Sequence, residues 1–166
     1  MYEKSKIQFP HFLSLFPEIE LPITLGTDSH FVFSKKNDPL PALAIQQYLL
    51  PTELEEVDDM TEFVPCFRLS NTYDIHAVVY WKAGLLNYQY ILLTFTKQGV
   101  AIDKKVIAGT FSDGELLTQS VATIDEDWTI HVVSGQQGID IDDYDASSSR
   151  AFQLELLPEG NIIESE

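Results

Sequence analysis

Apolar and polar residues alternate with a period of two along the middle of the chain, which is the pattern of β-strands that bury one face. In one such stretch, one face carries Ile75, Ala77, Val79 and Trp81, and the other carries His76, Val78, Tyr80 and Lys82. The alternation recurs at 128–133 and 152–156, with turn residues between the stretches. The pattern predicts a mainly β fold, an antiparallel meander of about seven or eight strands. We expect a barrel or a sandwich, with a propeller-like fan closed by dimerisation as the third arrangement.

The stretch 86–96 is apolar on both faces, so we expect it to contain a central strand that is covered on two sides. The N-terminal segment 1–50 is rich in proline and in large apolar side chains, and it is the candidate cover. This segment is predicted to carry one or two short helices, at 11–16 and 41–50. Asp38 is the expected cap of the second helix.

Two further stretches are predicted to be irregular. Thr27 to His30 is expected to form a turn, and Gly109 to Gly114 a loop with glycine at both ends. No internal repeat is evident, and the whole chain, 1–166, is predicted to be a single domain. Its segments are the N-terminal cover (1–50), an acidic linker (51–63), a β-meander core (64–134), an acidic loop (135–149) and C-terminal strands with a tail (150–166).

The charge of the chain is strongly negative and unevenly distributed. Of 166 residues, 26 are acidic and 10 are Lys or Arg, for a formal net charge of −16. The segments 51–63 and 135–166 carry 13 of these 16 units. This charge argues against binding to nucleic acid or to an anionic membrane, since both require clustered Lys and Arg. Apolar residues make up 45% of the chain, which is enough for a folded core.

The cellular compartment of the protein is predicted from three features of the sequence. The longest apolar runs are strand-sized, far below the roughly 20 residues of a membrane helix. The N-terminus lacks the apolar core of a signal peptide. The single cysteine, Cys66, cannot form an internal disulfide, which is typical of a reducing compartment. These features predict a cytoplasmic protein, although a secreted form with its signal removed would look similar.

The acidic linker is the first candidate site, for binding a protein partner. Its acidic residues are Glu53, Glu55, Glu56, Asp58, Asp59 and Glu62, and it contains no basic residue. An acidic patch attracts a basic protein over long range and raises its association rate, so the segment is a candidate docking surface for a basic partner. The alternative is an exposed linker whose charge serves solubility.

The acidic loop is the second candidate site, for a metal ion. It places four carboxylates close together, on Asp140, Asp142, Asp143 and Asp145. Carboxylate oxygens are the ligands of Ca²⁺, which is the one cofactor the sequence suggests. The loop does not match an EF-hand, because Tyr144 and Asp145 stand where a ligand and a glycine belong. The alternative is a solvated acidic loop.

The third candidate site is a ligand pocket on the sheet. We expect His76 and His131 to converge on one face with Tyr80 or Tyr90, in a general acid–base site or a ligand pocket. The alternative is that they are ordinary strand residues. Nucleophilic catalysis has little support, since there is no Gly-x-Ser-x-Gly motif and Cys66 lies in an apolar strand start.

These observations predict a non-catalytic, soluble, acidic interaction protein, such as an inhibitor or immunity-type protein that neutralises a basic partner. The alternative is a small-ligand-binding β-barrel, since an eight-stranded barrel can hold one small ligand. A hydrolase that uses carboxylates or histidine is less favoured, because the acids cluster in predicted loops rather than on rigid elements.

Overall fold

The computed structural model of the chain describes residues 6–53, 57–70, 72–85, 87–112, 114–138 and 149–165. Within these ranges no helix is long and apolar enough to cross a membrane. The strands are β1 Ile23–Leu25, β2 Glu62–Arg68, β3 Ile75–Ala83, β4 Asn87–Thr96, β5 Ala101–Ser112, β6 Leu116–Ile124, β7 Thr129–Gly138, β8 Arg150–Leu156 and β9 Ile162–Ser165. The helices are α1 Phe9–Ser14, α2 Ser29–Lys36 and α3 Ala42–Ala44; α3 is followed by a π-helical turn, Ile45–Leu49, and a 3₁₀ turn, Leu50–Thr52.

Strands β2 to β9 form an antiparallel meander in which each strand pairs with the next one along the chain. The prediction of a mainly β meander is therefore confirmed. The sheet is not closed into a barrel, because its first and last strands, β2 and β9, do not pair with each other in the described part of the chain. It is also one continuous sheet rather than the two packed sheets of a sandwich.

The short strand β1 joins this sheet beside β6, with Ile23 opposite Ile124. This position is open because β5 pairs with β6 only from Gly109 to Ser112. The second half of β6 would otherwise leave its backbone groups unpaired, and β1 supplies the partners. The N-terminal segment is therefore part of the sheet as well as its cover.

Two apolar cores lie on opposite faces of β3 and β4. The inner core collects buried side chains from all the meander strands, including Val79 and Leu92, so the sheet bends around it. The outer core packs the helical N-terminal segment, through residues such as Phe12, against Val78 and Leu93. The predictions of a central strand covered on two sides, and of 1–50 as its cover, are confirmed.

The helices of the N-terminal segment differ in part from expectation. The turn predicted at Thr27 to His30 is present at Thr27 and Asp28, but it is wrong for Ser29 and His30, which begin helix α2. The helix predicted at 41–50 is present, but its N-cap is Pro41, with no side-chain cap, so the assignment of Asp38 is also wrong. The residue before a proline favours an extended backbone, which keeps the chain extended between Asp38 and Pro41.

Strand β5 continues through the glycine that was expected to begin a loop. The prediction of a loop from Gly109 is wrong, since β5 runs on to Ser112. Gly109 has φ +150°, and a Cβ there would lie 2.1 Å from the carbonyl oxygen of Tyr88 on β4. The missing side chain permits a close approach between two strands rather than a turn.

The outer edge of β2 is covered by the N-terminal segment. The Asn37 side-chain amide donates to the carbonyls of Pro65 and Cys66, at 2.7 and 2.9 Å. Further along the strand, the amide of Arg68 donates to the carbonyl of Pro17 at 2.9 Å. The N-terminal segment thus supplies hydrogen-bond partners for backbone groups of β2 that are not paired with β3.

Candidate functional site

The turn that precedes β2 presents acidic side chains to solvent. One carboxylate oxygen of Asp58 accepts hydrogen bonds from the amide of Met60, at 2.9 Å, and from the hydroxyl of Thr61, at 3.1 Å. These bonds hold the turn, and Asp58, Asp59 and Glu62 are exposed around it. Met60, at the centre, is 85% exposed. We call the residues 58–62 the acidic turn. Two further acids of the predicted partner site, Glu55 and Glu56, lie outside the described residues.

Glu53, the first acid of the predicted partner site, differs from the others because it points into the protein. Its side chain is only 8% exposed. Its carboxylate lies 2.9 Å from the Lys82 ammonium and 3.1 Å from the Lys104 ammonium. The 3₁₀ turn that ends at Thr52 places it over β3 and β5, which carry the two lysines. Glu53 therefore neutralises internal positive charge, and we leave it out of the candidate docking surface.

The Glu53 ion cluster, which comprises Glu53, Lys82 and Lys104, borders a groove of about 710 Å³ on the outer face of β4 and β5. Ile91 and Val106 supply apolar surface to its floor. Tyr80 is fully buried next to the cluster, and burial, followed by the negative charge of Glu53, raises the pKa of its phenol. This groove lies outside the sheet, so a small-ligand alternative would use it rather than a barrel interior.

The Glu53 ion cluster yields a prediction for stability. Glu53→Gln keeps the shape of the side chain but leaves two partly buried ammonium groups without their counter-charge. We expect the free energy of unfolding to fall by about 2 kcal/mol, less than the roughly 3–5 kcal/mol of a fully buried pair because both lysines retain some solvent. Urea unfolding followed by tryptophan fluorescence measures this loss.

The matched control for this prediction is Asp59→Asn, which removes one negative charge from an exposed position. We expect it to change stability by less than about 0.5 kcal/mol. Equal losses in the two variants would mean that Glu53 contributes only to net charge.

The four predicted ligand-pocket residues are not brought together. Tyr80 belongs to the outer core, whereas Tyr90 belongs to the inner core on the opposite face of the sheet. His76 lies on β3 and His131 on β7, with three strands between them. At about 4.8 Å for each strand, this separates the two histidines by roughly 19 Å along the sheet. Any role of these residues must therefore be considered separately.

His131 pairs with an acid at the edge of its own hairpin. Its Nε2 lies 2.6 Å from a carboxylate oxygen of Asp125, and both side chains are about 40% exposed, at 42% and 41%. Thr123 lies opposite His131 in the β6–β7 register. The position of this pair on a strand ladder, rather than in a cleft, favours a structural role.

His76 lies in a separate cleft of about 530 Å³ at the other end of β2. Its ring meets the ring of Phe9 edge-on, with the ring centres 5.7 Å apart. Arg68 and Lys97 line the same cleft. Burial, followed by the positive charges of Lys97 and Arg68, lowers the pKa of the imidazole. Of the predicted ligand-pocket residues, His76 thus lines a cleft.

The Cys66 thiol is buried in β2, and its burial raises the pKa of the thiol. A thiol of raised pKa forms little thiolate, which is the nucleophilic form. The predicted Ca²⁺ ligands Asp140, Asp142, Asp143 and Asp145 lie outside the described residues. Among the residues that the structure does describe, no group of three or more His, Cys, Asp or Glu could hold a metal ion.

Comparison with protein-family models, with curated proteins and with solved structures finds no match to this chain. A functional assignment therefore depends on the charges and contacts of the chain itself.

Proposed function

We propose that this protein is a non-catalytic binding protein that presents its acidic turn to a basic protein partner. The observation that supports it best is the arrangement around Met60, an exposed thioether side chain surrounded by the exposed acids Asp58, Asp59 and Glu62. Methionine adapts its shape to a partner surface, and the carboxylates supply long-range attraction to positive charge. Together they offer both apolar contact and electrostatic steering.

The distribution of basic side chains also supports the proposal. Lys82 and Lys104 are held by Glu53. Arg68 donates to the carbonyls at the end of α1, and Arg150 is paired with Glu164. These four of the ten basic side chains are thus engaged by other groups of the fold, and the contacts given for them are not with the acidic turn. The turn therefore keeps its attraction for an external cation.

We expect partner binding to be weakened by raised salt and also by removal of the negative charges of the acidic turn. The test variant combines three substitutions that preserve side-chain shape: Asp58→Asn, Asp59→Asn and Glu62→Gln. A basic partner is first captured at low salt and then purified. The triple variant should bind this partner with about 10-fold lower affinity than the wild-type chain, since each exposed ion pair contributes about 0.5 kcal/mol. Isothermal titration calorimetry at two salt concentrations measures affinity. High salt should weaken partner binding by the wild-type chain more than partner binding by the variant, because exposed charges are screened over about 8 Å.

The control removes three exposed acids elsewhere and gives the same net charge: Glu20→Gln, Glu126→Gln and Glu159→Gln. This control should bind within about 2-fold of the wild-type chain, since distant exposed charges are screened. Equal losses in both triple variants would contradict a local docking surface. Capture of partners that are not basic, or that high salt does not release, would contradict the proposed function.

A further inference from the structure

The cleft at the end of β2 concentrates positive charge in a protein that is otherwise acidic. Three cationic or titratable side chains reach it from different elements, namely Arg68 from β2, His76 from β3 and Lys97 from the loop between β4 and β5. Glu18 is the acidic side chain of the lining. Two permanent positive charges thus face one carboxylate, and protonation of His76 would add a third.

Arg68 is fixed in place by the fold. Its guanidinium donates to the carbonyls of Leu13 and Phe16, at 3.0 and 2.9 Å, and so ties the end of α1 to the sheet. Its contact with Glu18 is long, at 3.5 Å, and the Glu18 side chain is 57% exposed. An exposed pair of this length contributes little energy, so Glu18 is easily displaced by another anion.

Hydroxyl groups complete the lining. Ser70 and Tyr73 line the cleft together with the cationic side chains. Tyr73 has a left-handed backbone, with φ +56°, and its side chain is 80% exposed. Hydroxyl donors in a cleft that also holds two cations and an imidazole match the needs of a compact, doubly charged oxyanion.

We propose that this cleft, which we call the basic cleft, binds a tetrahedral oxyanion group such as phosphate or sulfate, with Lys97 and His76 as its main partners and Arg68 as a fixed neighbour. This site is independent of the acidic turn. The two lie at opposite ends of β2, six residue steps of about 3.3 Å apart, or about 20 Å. This exceeds two Debye lengths of about 8 Å, so the acidic turn does not cancel the field of the basic cleft.

Binding of a dianion in the basic cleft is linked to the charge of His76. Burial and the cations Lys97 and Arg68 favour the neutral imidazole, whereas a bound dianion favours the imidazolium. The affinity should therefore rise as pH falls. The other charged groups that line the cleft with His76 are Lys97, Arg68 and Glu18.

The test is a titration of the full chain with sodium sulfate at constant ionic strength, since sulfate keeps both negative charges over this pH range. The imidazole resonances of His76, His11 and His131 are followed by NMR. We expect sulfate to raise the titration midpoint of His76 and to leave the midpoints of His11 and His131 unchanged. Equal displacement of all three midpoints, or no displacement of His76, would overturn the proposal. Sodium acetate, a monoanion, should have a smaller effect than sulfate.

Variants localise the effect to the basic cleft. Lys97→Met should weaken sulfate binding by about 10-fold, the cost of losing one charge-assisted contact. Lys105→Met removes the same charge from an exposed position on β5 outside the cleft, and it should bind sulfate as the wild-type chain does. His76→Gln should remove the rise in affinity at low pH. Equal binding by the two lysine variants, or an unchanged pH dependence in His76→Gln, would place the anion elsewhere and overturn the proposal.

Discussion

Substitution of Gly109 by alanine is expected to destabilise the protein by at least about 4 kcal/mol, the largest effect we predict for a single methyl group. The added Cβ would lie 2.1 Å from the carbonyl oxygen of Tyr88 and 3.0 Å from the Cα of Gln89. Both contacts are with backbone of the neighbouring strand β4, which cannot rotate away as a side chain can. Relief requires the two central strands to separate, with loss of their hydrogen bonds.

The control for this substitution is Gly114→Ala. Gly114 also has a positive φ, +98°, but a Cβ there would meet nothing within 4 Å. This variant therefore measures backbone strain alone, for which we expect a cost of about 1 kcal/mol. Urea unfolding of both variants separates strain from steric conflict. Similar losses in the two proteins would show that β4 and β5 are not held as closely at Gly109 as the structure requires.

Phe12→Ala is expected to lower the free energy of unfolding by about 4 kcal/mol, which is typical of a large aromatic side chain removed from a well-packed core. Phe12 is fully buried. Its ring centre lies 4.4 Å from that of Tyr48 and 5.7 Å from that of Phe95. One side chain on α1 thus joins the π-helical turn to β4. Its loss should loosen the whole N-terminal cover.

The comparison variant is Phe31→Ala, which removes the same atoms from a side chain that is 54% exposed. We expect it to cost less than about 1 kcal/mol, since most of that ring is already in contact with water. Urea unfolding, followed by both far-UV circular dichroism and tryptophan fluorescence, measures both losses. If Phe12→Ala cost no more than Phe31→Ala, the N-terminal cover would not be coupled to the sheet.

Much of the fold follows from local pattern. The period-two alternation at 75–82 places its residues on the correct faces, because a strand exposes alternate residues whatever its partners are. The double cover of β4 was also predictable, from apolar residues on both faces of 86–96. Helix α2 was not, since its apolar residues do not share a face: Phe33 is buried whereas Phe31 and Val32 are exposed. The strand at Gly109 was not predictable either, because glycine marks turns more often than close contacts between strands.

The candidate sites differ in the same way. Some of their features depend on neighbours in the sequence, and others depend on residues that are distant in the sequence. The exposure of Asp58 and Asp59 follows from their own polar neighbourhood. The inward position of Glu53 depends on Lys82 and Lys104, which lie on two different strands. The sequence around Glu53 does not show these partners, so Glu53 was predicted to be exposed like the other acids. The basic cleft depends likewise on three elements that meet only after the sheet has formed. The spacing of such residues along the sequence does not indicate that they lie together in the fold.

The hydrogen bonds from Asn37 to β2 have a consequence for self-association. An uncovered outermost strand can recruit a strand from another molecule, which is a route to aggregation. Here Asn37 occupies the carbonyls of Pro65 and Cys66, and Pro65 has no amide hydrogen to offer an incoming chain. The N-terminal segment thus protects one flank of the sheet from intermolecular strand addition.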